Sequence, residues 1–376
     1  MKVLILCYEY PPLGGGGGRV AKTIAEQLAA RGHQVRVQTA GMGHLPARET
    51  IGGVEVYRTR SFRRHEDRCS VPEMGLFCAT SFGPTLRHCR EWKPDVLHAH
   101  FAMPTGVLAW AVHRRTGVPY VLTAHLGDVP GGVPDQTDRL FKLVAPVARR
   151  VWNQAAAATA VSSFVRELAE RSYGRKVELI LNGIDLSDAP APPETVPTKR
   201  HLVFVGRFNP QKCPIFLIDA LAGVQDLDWR LTMIGDGVLM NATRRQAEFY
   251  ELTQRIYFTG WLAGPEVQRT MRTADVLMMP SNSEGQPVAA IEALKYGLAI
   301  AASDIPGVRD VVLDGVNGAT IPPGDVQAWI ARLRTCLSDD SRLAAMKRAS
   351  WEKARDFDLA RIATQYEQVL LAAVRQ

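Results

Sequence analysis

Short apolar runs alternate with helical patterns along nearly the whole chain, and this alternation limits the possible folds more than any other feature. An apolar run without polar alternation, such as Val276–Met279, is typical of a strand that helices cover on both sheet faces. Such strands separated by helices predict parallel, doubly wound α/β sheets with ligand sites at the carboxyl ends of the strands. We predict strands at 2–9, 34–39, 54–58, 96–100, 120–123, 157–161, 177–181, 202–207, up to 234, 257–260, 276–279 and 299–303, and helices at about 19–31, at 265–274 and from about 325 onward.

Length and a proline-rich segment divide the chain into two domains. A chain of 376 residues is too long for one ordinary core and suits two domains of roughly 150–200 residues. Residues 187–198 are rich in proline and lack apolar periodicity, which indicates a linker. We predict a first domain at 1–186, a linker at 187–200, a second domain at 201–357 and a terminal helix at 358–376.

Composition excludes several classes of protein. The sequence has no run of about 18 apolar residues, which excludes a membrane-spanning helix, and its start reads as a first strand rather than a signal peptide. The six cysteines show no C-x-x-C pair, so we expect reduced thiols, a cytoplasmic location and no cysteine metal site.

Positive charge is concentrated in the first half of the chain. Residues 1–185 hold 24 Lys and Arg against 16 Asp and Glu, whereas the rest hold 21 against 22. No nucleic-acid-binding motif accompanies this charge, so an anionic membrane surface or a phosphate-bearing acceptor fits better. We therefore predict peripheral contact with the inner membrane face and no nucleic-acid partner, with a solvated loop as the alternative for the densest cluster. That cluster is Arg58, Arg60, Arg63, Arg64 and Arg68.

Five glycines, 14–18, follow the first strand and precede the first predicted helix. A strand, a glycine loop and a helix start present free N–H groups to a phosphate or a sugar hydroxyl, and a plain flexible loop is the alternative. The spacing is not G-x-G-x-x-G, and no acidic residue ends the strand at 34–39, which counts against a dinucleotide.

Two glutamates lie around a helix start in the second half. Glu284 stands in the loop after the strand Val276–Met279, and Pro287 is predicted in the first turn of the helix that carries Glu292. A helix start favours an anion, so the phosphates of a sugar nucleotide would face it, and the two carboxylates would bind hydroxyls of the same sugar nucleotide. Solvated or capping glutamates are the alternative.

Arg207 and Lys212 follow the first strand of the second half. The planar guanidinium fork and the compact ammonium group suit a diphosphate, and they would stabilise the charge that develops on a leaving group. Ordinary surface charge is the alternative.

Three histidines and an aspartate lie at predicted strand ends in the first half. His98 and His100 share one strand face because side chains alternate with a period of two, and His125 and Asp128 follow the next strand. A zinc site is one interpretation, although the sequence does not show that these groups converge.

The frame Glu-Gly-x-Pro-x4-Glu-Ala-x3-Gly, at 284–297, resembles the signature of the retaining family 4 glycosyltransferases. Further segments also resemble that family: Pro-x-x-Gly-Gly near 12–16, His-x-His, Thr-x-His-x-x-Asp, Asn-Gly-Ile-Asp at 182–185, Gly-Arg-x4-Lys and Gly235-Asp236-Gly237. The resemblance covers nearly the whole chain. It implies the GT-B fold, with two facing Rossmann-like domains and a last helix that returns to the first domain.

The resemblance also implies a role for each candidate residue. His125 would contact the donor sugar near the reacting carbon, Asp128 would orient it or meet the acceptor, and Glu292 would anchor the ribose. Arg207 and Lys212 would neutralise the diphosphate, although Cys213 replaces the glycine that follows the lysine in the family. The predicted catalytic residues are His125, Arg207, Lys212 and Glu284; the donor-binding residues are Gly16, Gly17, Arg207, Lys212, Gly235, Gly285, Gln286, Pro287, Val288 and Glu292; the acceptor-side residues are His98, His100 and Asp128.

Together these features predict a retaining, metal-independent glycosyltransferase that needs no cofactor beyond its nucleotide-diphospho-sugar co-substrate. Of the two Asp-x-Asp strings, the one at 226–228 lies at a predicted turn and the one at 356–358 lies between predicted helices, so we interpret both as surface charge. We expect a UDP-sugar, with a GDP-sugar as the alternative, and a glycan, lipid-linked or small-molecule acceptor. A nucleotide-sugar epimerase of GT-B type and a nucleotide-binding protein without chemistry are the competing interpretations.

Overall fold

The computed structural model describes residues 1–66, 69–191 and 198–375, and it describes only the backbone of residues 134–140. Residues up to Gly183 pack with the segment from Leu359 onward as one unit, and Ile184–Asp358 pack as a second unit. Part of the predicted linker, 192–197, lies outside the described residues.

Each unit is built on one sheet. The strands of the first unit are β1 (Lys2–Cys7), β2 (Gln34–Gly41), β3 (Arg48–Ile51), β4 (Val54–Arg60), β5 (Val96–His100), β6 (Tyr120–Ala124), β7 (Ala157–Ala160) and β8 (Glu178–Leu179). Those of the second are β9 (Arg200–Val205), β10 (Trp229–Ile234), β11 (Ile256–Gly260), β12 (Val276–Met279), β13 (Ala299–Ser303) and β14 (Gly318–Ile321). The first sheet has the order β3-β4-β2-β1-β5-β6-β7-β8 and is parallel except for β3 with β4, whereas the second is parallel in the order β11-β10-β9-β12-β13-β14.

Helices cover both sheets. They are α1 (Gly16–Ala30), α2 (Val71–Glu91), α3 (Thr105–Thr116), α4 (Pro134–Asn153), α5 (Ser163–Tyr173), α6 (Pro214–Ala222), α7 (Met240–Phe249), α8 (Gly264–Arg272), α9 (Val288–Lys295), α10 (Val326–Ser338), α11 (Asp340–Lys353) and α12 (Leu359–Val374). Every residue of β5, β6, β12 and β13 is buried, as expected for strands covered on both faces.

The terminal helix α12 belongs to the first unit. Tyr366 is fully buried there, and the Glu367 carboxylate accepts hydrogen bonds from Arg31 (3.0 Å) and pairs with His33 (2.6 Å) at the end of α1. The predicted α/β architecture, two doubly wound parallel sheets with a last helix that returns to the first, is therefore confirmed.

Three local predictions were wrong. The short polar strand β3 was missed, although Gly52 and Gly53, both with positive φ, form the two-residue turn typical of a hairpin. The helix α1 begins inside the glycine run, at Gly16 rather than near 19. The glycine and proline content of residues 129–138 predicts a loop, whereas α4 begins at Pro134 within that segment.

The early start of α1 has a steric cause. A side chain at Gly18 would come within 2.6 Å of the Glu9 carbonyl oxygen, so only glycine allows this helical turn to lie so close to the end of β1. Tertiary contact here overrides the low helix propensity of glycine.

Candidate active site

The second unit brings Lys212 and Glu284 together. Lys212 ends a 3-10 turn, Pro210–Lys212, that follows β9, and the Asn209 side chain caps this turn by accepting the Lys212 N–H. The Lys212 ammonium lies 2.5 Å from a carboxylate oxygen of Glu284, in the loop after β12. Because β9 and β12 are neighbouring parallel strands, their carboxyl ends place the two loops side by side.

Two further hydrogen bonds hold these loops together. The backbone N–H of Asn282 donates to the backbone carbonyl of Gln211 (2.8 Å), and the side-chain amide of Gln211 donates to the backbone carbonyl of Ser283 (2.9 Å). Glu284 is only 7% exposed. The ion pair therefore sits in a fixed, largely dry frame, in which electrostatic interactions are stronger than in water.

Close backbone contacts at two glycines shape the same region. A Cβ at Gly307 would lie 1.7 Å from the Glu284 carbonyl oxygen, and one at Gly235, whose φ is +129°, would lie 2.0 Å from the Gly206 carbonyl oxygen. Gly235 is thus a predicted donor-binding residue whose lack of a side chain lets two strand ends meet. We did not predict a role for Gly307.

The rest of the glutamate frame leads into α9. Pro287 is the N-cap of this helix, one residue before the position that we predicted, and Val288 is its first residue. Gln286 and Pro287 are buried, Gly285 is half-buried, and Glu292 is half-buried on the second turn of α9. Arg207, half-buried, lies two residues beyond β9 on the approach to the Lys212 turn.

The backbone conformation at Cys213 accounts for the glycine that the family has at this position. Its backbone lies in the left-handed region, with φ 49° and ψ 48°, between the Lys212 turn and α6. A non-glycine residue is strained in this conformation. The substitution thus keeps the geometry of Lys212 at an energetic cost.

In the first unit the three histidines do converge. The rings of His98 and His100 are 4.3 Å apart and those of His100 and His125 are 5.8 Å apart, measured between centroids. The His98 Nε2 atom is hydrogen-bonded to the Thr123 hydroxyl (2.8 Å), and its ring packs 5.5 Å from that of Tyr366. His98 and His100 are fully buried, so they lie in the core beneath any acceptor surface.

These imidazoles are neutral at pH 7. Burial lowers the pKa of His98 to about 3 and that of His125 to about 4, and it lowers the pKa of His100 well below its usual range. Among the described residues, no group of His, Cys, Asp or Glu side chains is arranged to hold a metal ion.

The Asp128 carboxylate accepts hydrogen bonds from backbone N–H groups and not from the imidazole ring. One of its carboxylate oxygens accepts the N–H groups of His125 (2.8 Å) and Ala102 (3.0 Å). Burial raises the pKa of this carboxyl well above its usual range, although the two amide hydrogen bonds oppose that shift. Asp128 thus fixes the chain at His125, while its 2% exposure leaves little of it for an acceptor to contact.

Gly16 and Gly17 form the first turn of α1. A Cβ at Gly17 would lie 2.4 Å from the Phe101 ring and 3.4 Å from Nδ1 of His125, so this glycine directly borders the predicted catalytic histidine. The Glu9 carboxylate accepts the Gly15 N–H (3.1 Å) at the same helix start.

Only some of the arginines in the cluster of the first half are exposed. Arg58 is buried against Glu49 and donates to the Pro11 carbonyl, and Arg63 is buried and donates to the carbonyls of His65 and Glu66. Arg60 and Arg64 are exposed, and Arg68 lies outside the described residues. Within the described ranges, no helix combines the length and apolar character needed to cross a bilayer.

Two family models match consecutive parts of the chain. Residues 14–188 match Glycosyltransferase Family 4, and residues 188–353 match Glycosyl transferases group 1. The putative teichuronic acid biosynthesis glycosyltransferase TuaC of Bacillus subtilis is 32% identical over 277 residues, covering 71% of this chain and 67% of TuaC. The chain belongs to the group 1/family 4 glycosyltransferases.

Two more comparisons cover almost the whole length of this glycosyltransferase. Glycogen synthase of Mycobacterium tuberculosis is 29% identical over 407 residues, which is 100% of this chain and 95% of that enzyme. The crystal structure of Anabaena HepE in complex with UDP superposes with a TM-score of 0.77 at 21% identity, covering 98% of this chain and 99% of HepE. The fold is therefore GT-B.

Proposed function

We propose that this enzyme is a retaining, metal-independent glycosyltransferase that moves a sugar from a UDP-sugar, with a GDP-sugar as the alternative donor. The observation that carries the proposal is the Lys212–Glu284 pair, held at adjoining strand ends, with Arg207 two residues beyond β9. It combines a cation for a diphosphate with a carboxylate for sugar hydroxyls. The UDP complex of HepE, a protein of the same fold, supports a uridine donor.

The second unit would bind the donor. Arg207 and Lys212 would neutralise the diphosphate, and they would stabilise the charge that grows on the leaving phosphate as the glycosidic bond breaks. Glu284 would then exchange its lysine partner for hydroxyls of the transferred sugar. Glu292, on the second turn of α9, would bind the ribose.

The reaction needs no protein nucleophile. The acceptor oxygen forms a bond to the anomeric carbon on the face that the diphosphate leaves, and the acceptor proton passes to the departing phosphate oxygen. A neutral His125 would act beside the reacting carbon as a hydrogen-bonding and packing group, since burial lowers its pKa to about 4. The anomeric configuration is then retained.

The first unit would bind the acceptor, which we propose to be a glycan, a lipid-linked sugar or a small molecule. Arg60 and Arg64, the exposed members of the arginine cluster, would supply contact with an anionic membrane surface. Arg58 and Arg63 take no part in this, because their guanidinium groups are used inside the unit.

The test is a panel of UDP-, GDP- and ADP-sugars incubated with the full chain, with and without glycan acceptors and in the presence of EDTA. A transferase releases the nucleoside diphosphate and forms a product whose anomeric configuration, read by NMR, matches that of the donor. An isomerised nucleotide-sugar without diphosphate release would show an epimerase instead, and binding without turnover of any donor would show a protein without chemistry. Loss of activity in EDTA, restored by a divalent cation, would contradict metal independence.

A further inference from the structure

Phe101 has an unusual backbone conformation for a large aromatic residue. It directly follows β5, and its φ of +71° lies in the left-handed region, where a non-glycine residue is strained. Two hydrogen bonds hold it there: its N–H donates to the Thr123 carbonyl (3.0 Å), and its carbonyl accepts the Gly106 N–H (3.1 Å). Such strain persists only where the surrounding structure imposes it, and it is commonest at functional sites.

The strained backbone directs the Phe101 ring against His125. The two ring centroids are 4.5 Å apart with 31° between the planes, and Tyr8 packs edge-on against Phe101 at 4.8 Å. Phe101 is only 8% exposed. On a third side lies Gly17, where a Cβ would come within 2.4 Å of Cζ of Phe101.

The backbones of the two residues are joined as well. A single carboxylate oxygen of Asp128 accepts the N–H of His125 and the N–H of Ala102, the residue after Phe101. The buried Nε2 atom of His125 has no hydrogen-bond partner among the described residues. Ring packing, more than hydrogen bonding at Nε2, therefore sets where this imidazole lies.

We infer that Phe101 is a positioning residue for His125, and that Gly17 is required because its missing side chain leaves the space that the Phe101 ring occupies. This inference rests on the proposed function, in which His125 acts beside the reacting carbon. Phe101 itself need not touch the substrate. It fixes the plane of the imidazole from one side, while Asp128 fixes the backbone from the other.

The first test measures turnover at saturating donor and the affinity for UDP in the Phe101→Leu variant. We expect kcat to fall about tenfold or more while the dissociation constant for UDP stays within about twofold, because Arg207 and Lys212, the charged groups proposed to bind the diphosphate, are in the other unit. The Phe101→Tyr variant, which keeps the ring, should restore most of the turnover. Equal kcat for Phe101→Leu and wild type would overturn the inference, as would a loss that the Tyr variant does not rescue.

The second test needs no donor and therefore separates this inference from the proposed function. The carbon-bound imidazole protons of His125, assigned by their loss in His125→Asn, should shift in Phe101→Leu because the ring current of Phe101 is removed. Unchanged shifts would contradict the packing, whatever the enzyme's substrate. If the shifts change but no nucleotide-sugar is turned over by the wild type, the proposed function fails and the positioning contact stands.

A double-mutant cycle tests Gly17. We expect Gly17→Ala to lower the midpoint of thermal unfolding by several degrees, and Gly17→Ala combined with Phe101→Leu to cost less than the sum of the single changes, because the smaller side chain makes room for the methyl group. Gly75→Ala, in the exposed part of α2 with no atom near its Cβ position, is the matched control and should not lower that midpoint. Additive effects of the two changes would refute the claim that Gly17 makes space for the ring.

Discussion

At the scale of single residues, the proposed site predicts two opposed effects of Glu284 on the donor. Its carboxylate pairs with Lys212 in the free protein, so a diphosphate must compete with it for the same cation. We predict that Glu284→Gln binds UDP roughly threefold to tenfold more tightly, about 1 kcal/mol, because one buried negative charge is removed. Turnover should nevertheless fall at least about tenfold, since the group proposed to hold the transferred sugar is weakened.

Isothermal titration with UDP and a rate assay measure the two effects separately. Glu248→Gln, an exposed change in the same unit, is the control and should alter neither. Weaker UDP binding by Glu284→Gln would mean that Glu284 does not compete for Lys212.

Cys213 gives a prediction about stability. In its left-handed conformation, glycine is free of the strain that any side chain carries, although glycine also costs more entropy on folding. Cys213→Gly should therefore be more stable than Cys213→Ala by roughly 0.5–1 kcal/mol. Urea unfolding of the two variants is the measurement, and each serves as the other's control because both lose the thiol. An alanine variant at least as stable as the glycine variant would contradict the strain.

At the scale of elements, the histidines on β5 and after β6 make the first unit sensitive to acid. His98 has a folded pKa of about 3, below its unfolded value near 6.5. Between these values the unfolded chain binds a proton that the folded chain does not, so the free energy of unfolding falls as the pH decreases. The slope from this one residue is about 1.4 kcal/mol per pH unit.

To isolate His98, the free energy of unfolding of the wild type is compared with that of His98→Gln. Both are measured by chemical unfolding at several pH values between 7 and 5. We expect a shallower pH dependence in the variant. Asp128 acts in the opposite direction, because its raised pKa lets the folded chain keep a proton that the unfolded chain loses as the pH rises. The wild-type curve alone therefore mixes both groups, and equal slopes in the two proteins would show that His98 does not titrate as its burial implies.

The elements also show how far the sequence alone reaches. The strand β12 was predicted because every position is apolar, which is typical of a strand that helices cover on both sheet faces. The edge strand β3 was missed because its polar residues carry no such pattern, and only the Gly52-Gly53 turn could have indicated it. The start of α1 at Gly16 depends on close contacts of its glycines with Glu9 and Phe101. These contacts exist only in the folded structure, so the local sequence does not reveal them.

The candidate site likewise combines features that the sequence predicts with features that only the fold reveals. Motif spacing singled out Lys212 and Glu284 separately, yet their direct pairing depends on strand order, which brings β9 beside β12. The convergence of His125 with His98 and His100 likewise needed the parallel pairing of β5 with β6. Charge counting overstated the basic surface because it cannot distinguish the buried Arg58 and Arg63 from the exposed Arg60 and Arg64.

At the scale of the whole molecule, the uneven charge predicts binding to anionic membranes. Arg60 and Arg64 are exposed beside Phe62, which is itself 58% exposed and lies under the Arg60 guanidinium. Vesicles containing phosphatidylserine should sediment the wild type at low salt and release it as salt screens the charges. Removing both arginines, as Arg60→Ala with Arg64→Ala, should weaken this binding by about 2 kcal/mol, roughly thirtyfold.

The matched control removes two exposed arginines of the second unit, Arg269→Ala with Arg309→Ala. It should bind vesicles as the wild type does. No sedimentation of the wild type with anionic vesicles at low salt would refute membrane contact, and it would leave glycan or small-molecule acceptors.

The central claim is that Arg207 and Lys212 stabilise the leaving diphosphate of a nucleotide-sugar. The most direct test is the rate of sugar transfer at saturating donor for Arg207→Ala and Lys212→Ala, with Lys199→Ala, an exposed lysine of the same unit, as control. We predict that kcat falls by roughly two to three orders of magnitude in each of the first two variants, because each removes a donor that acts on the developing charge, and that the control is unchanged. Near-normal turnover by either variant would contradict this assignment of the site.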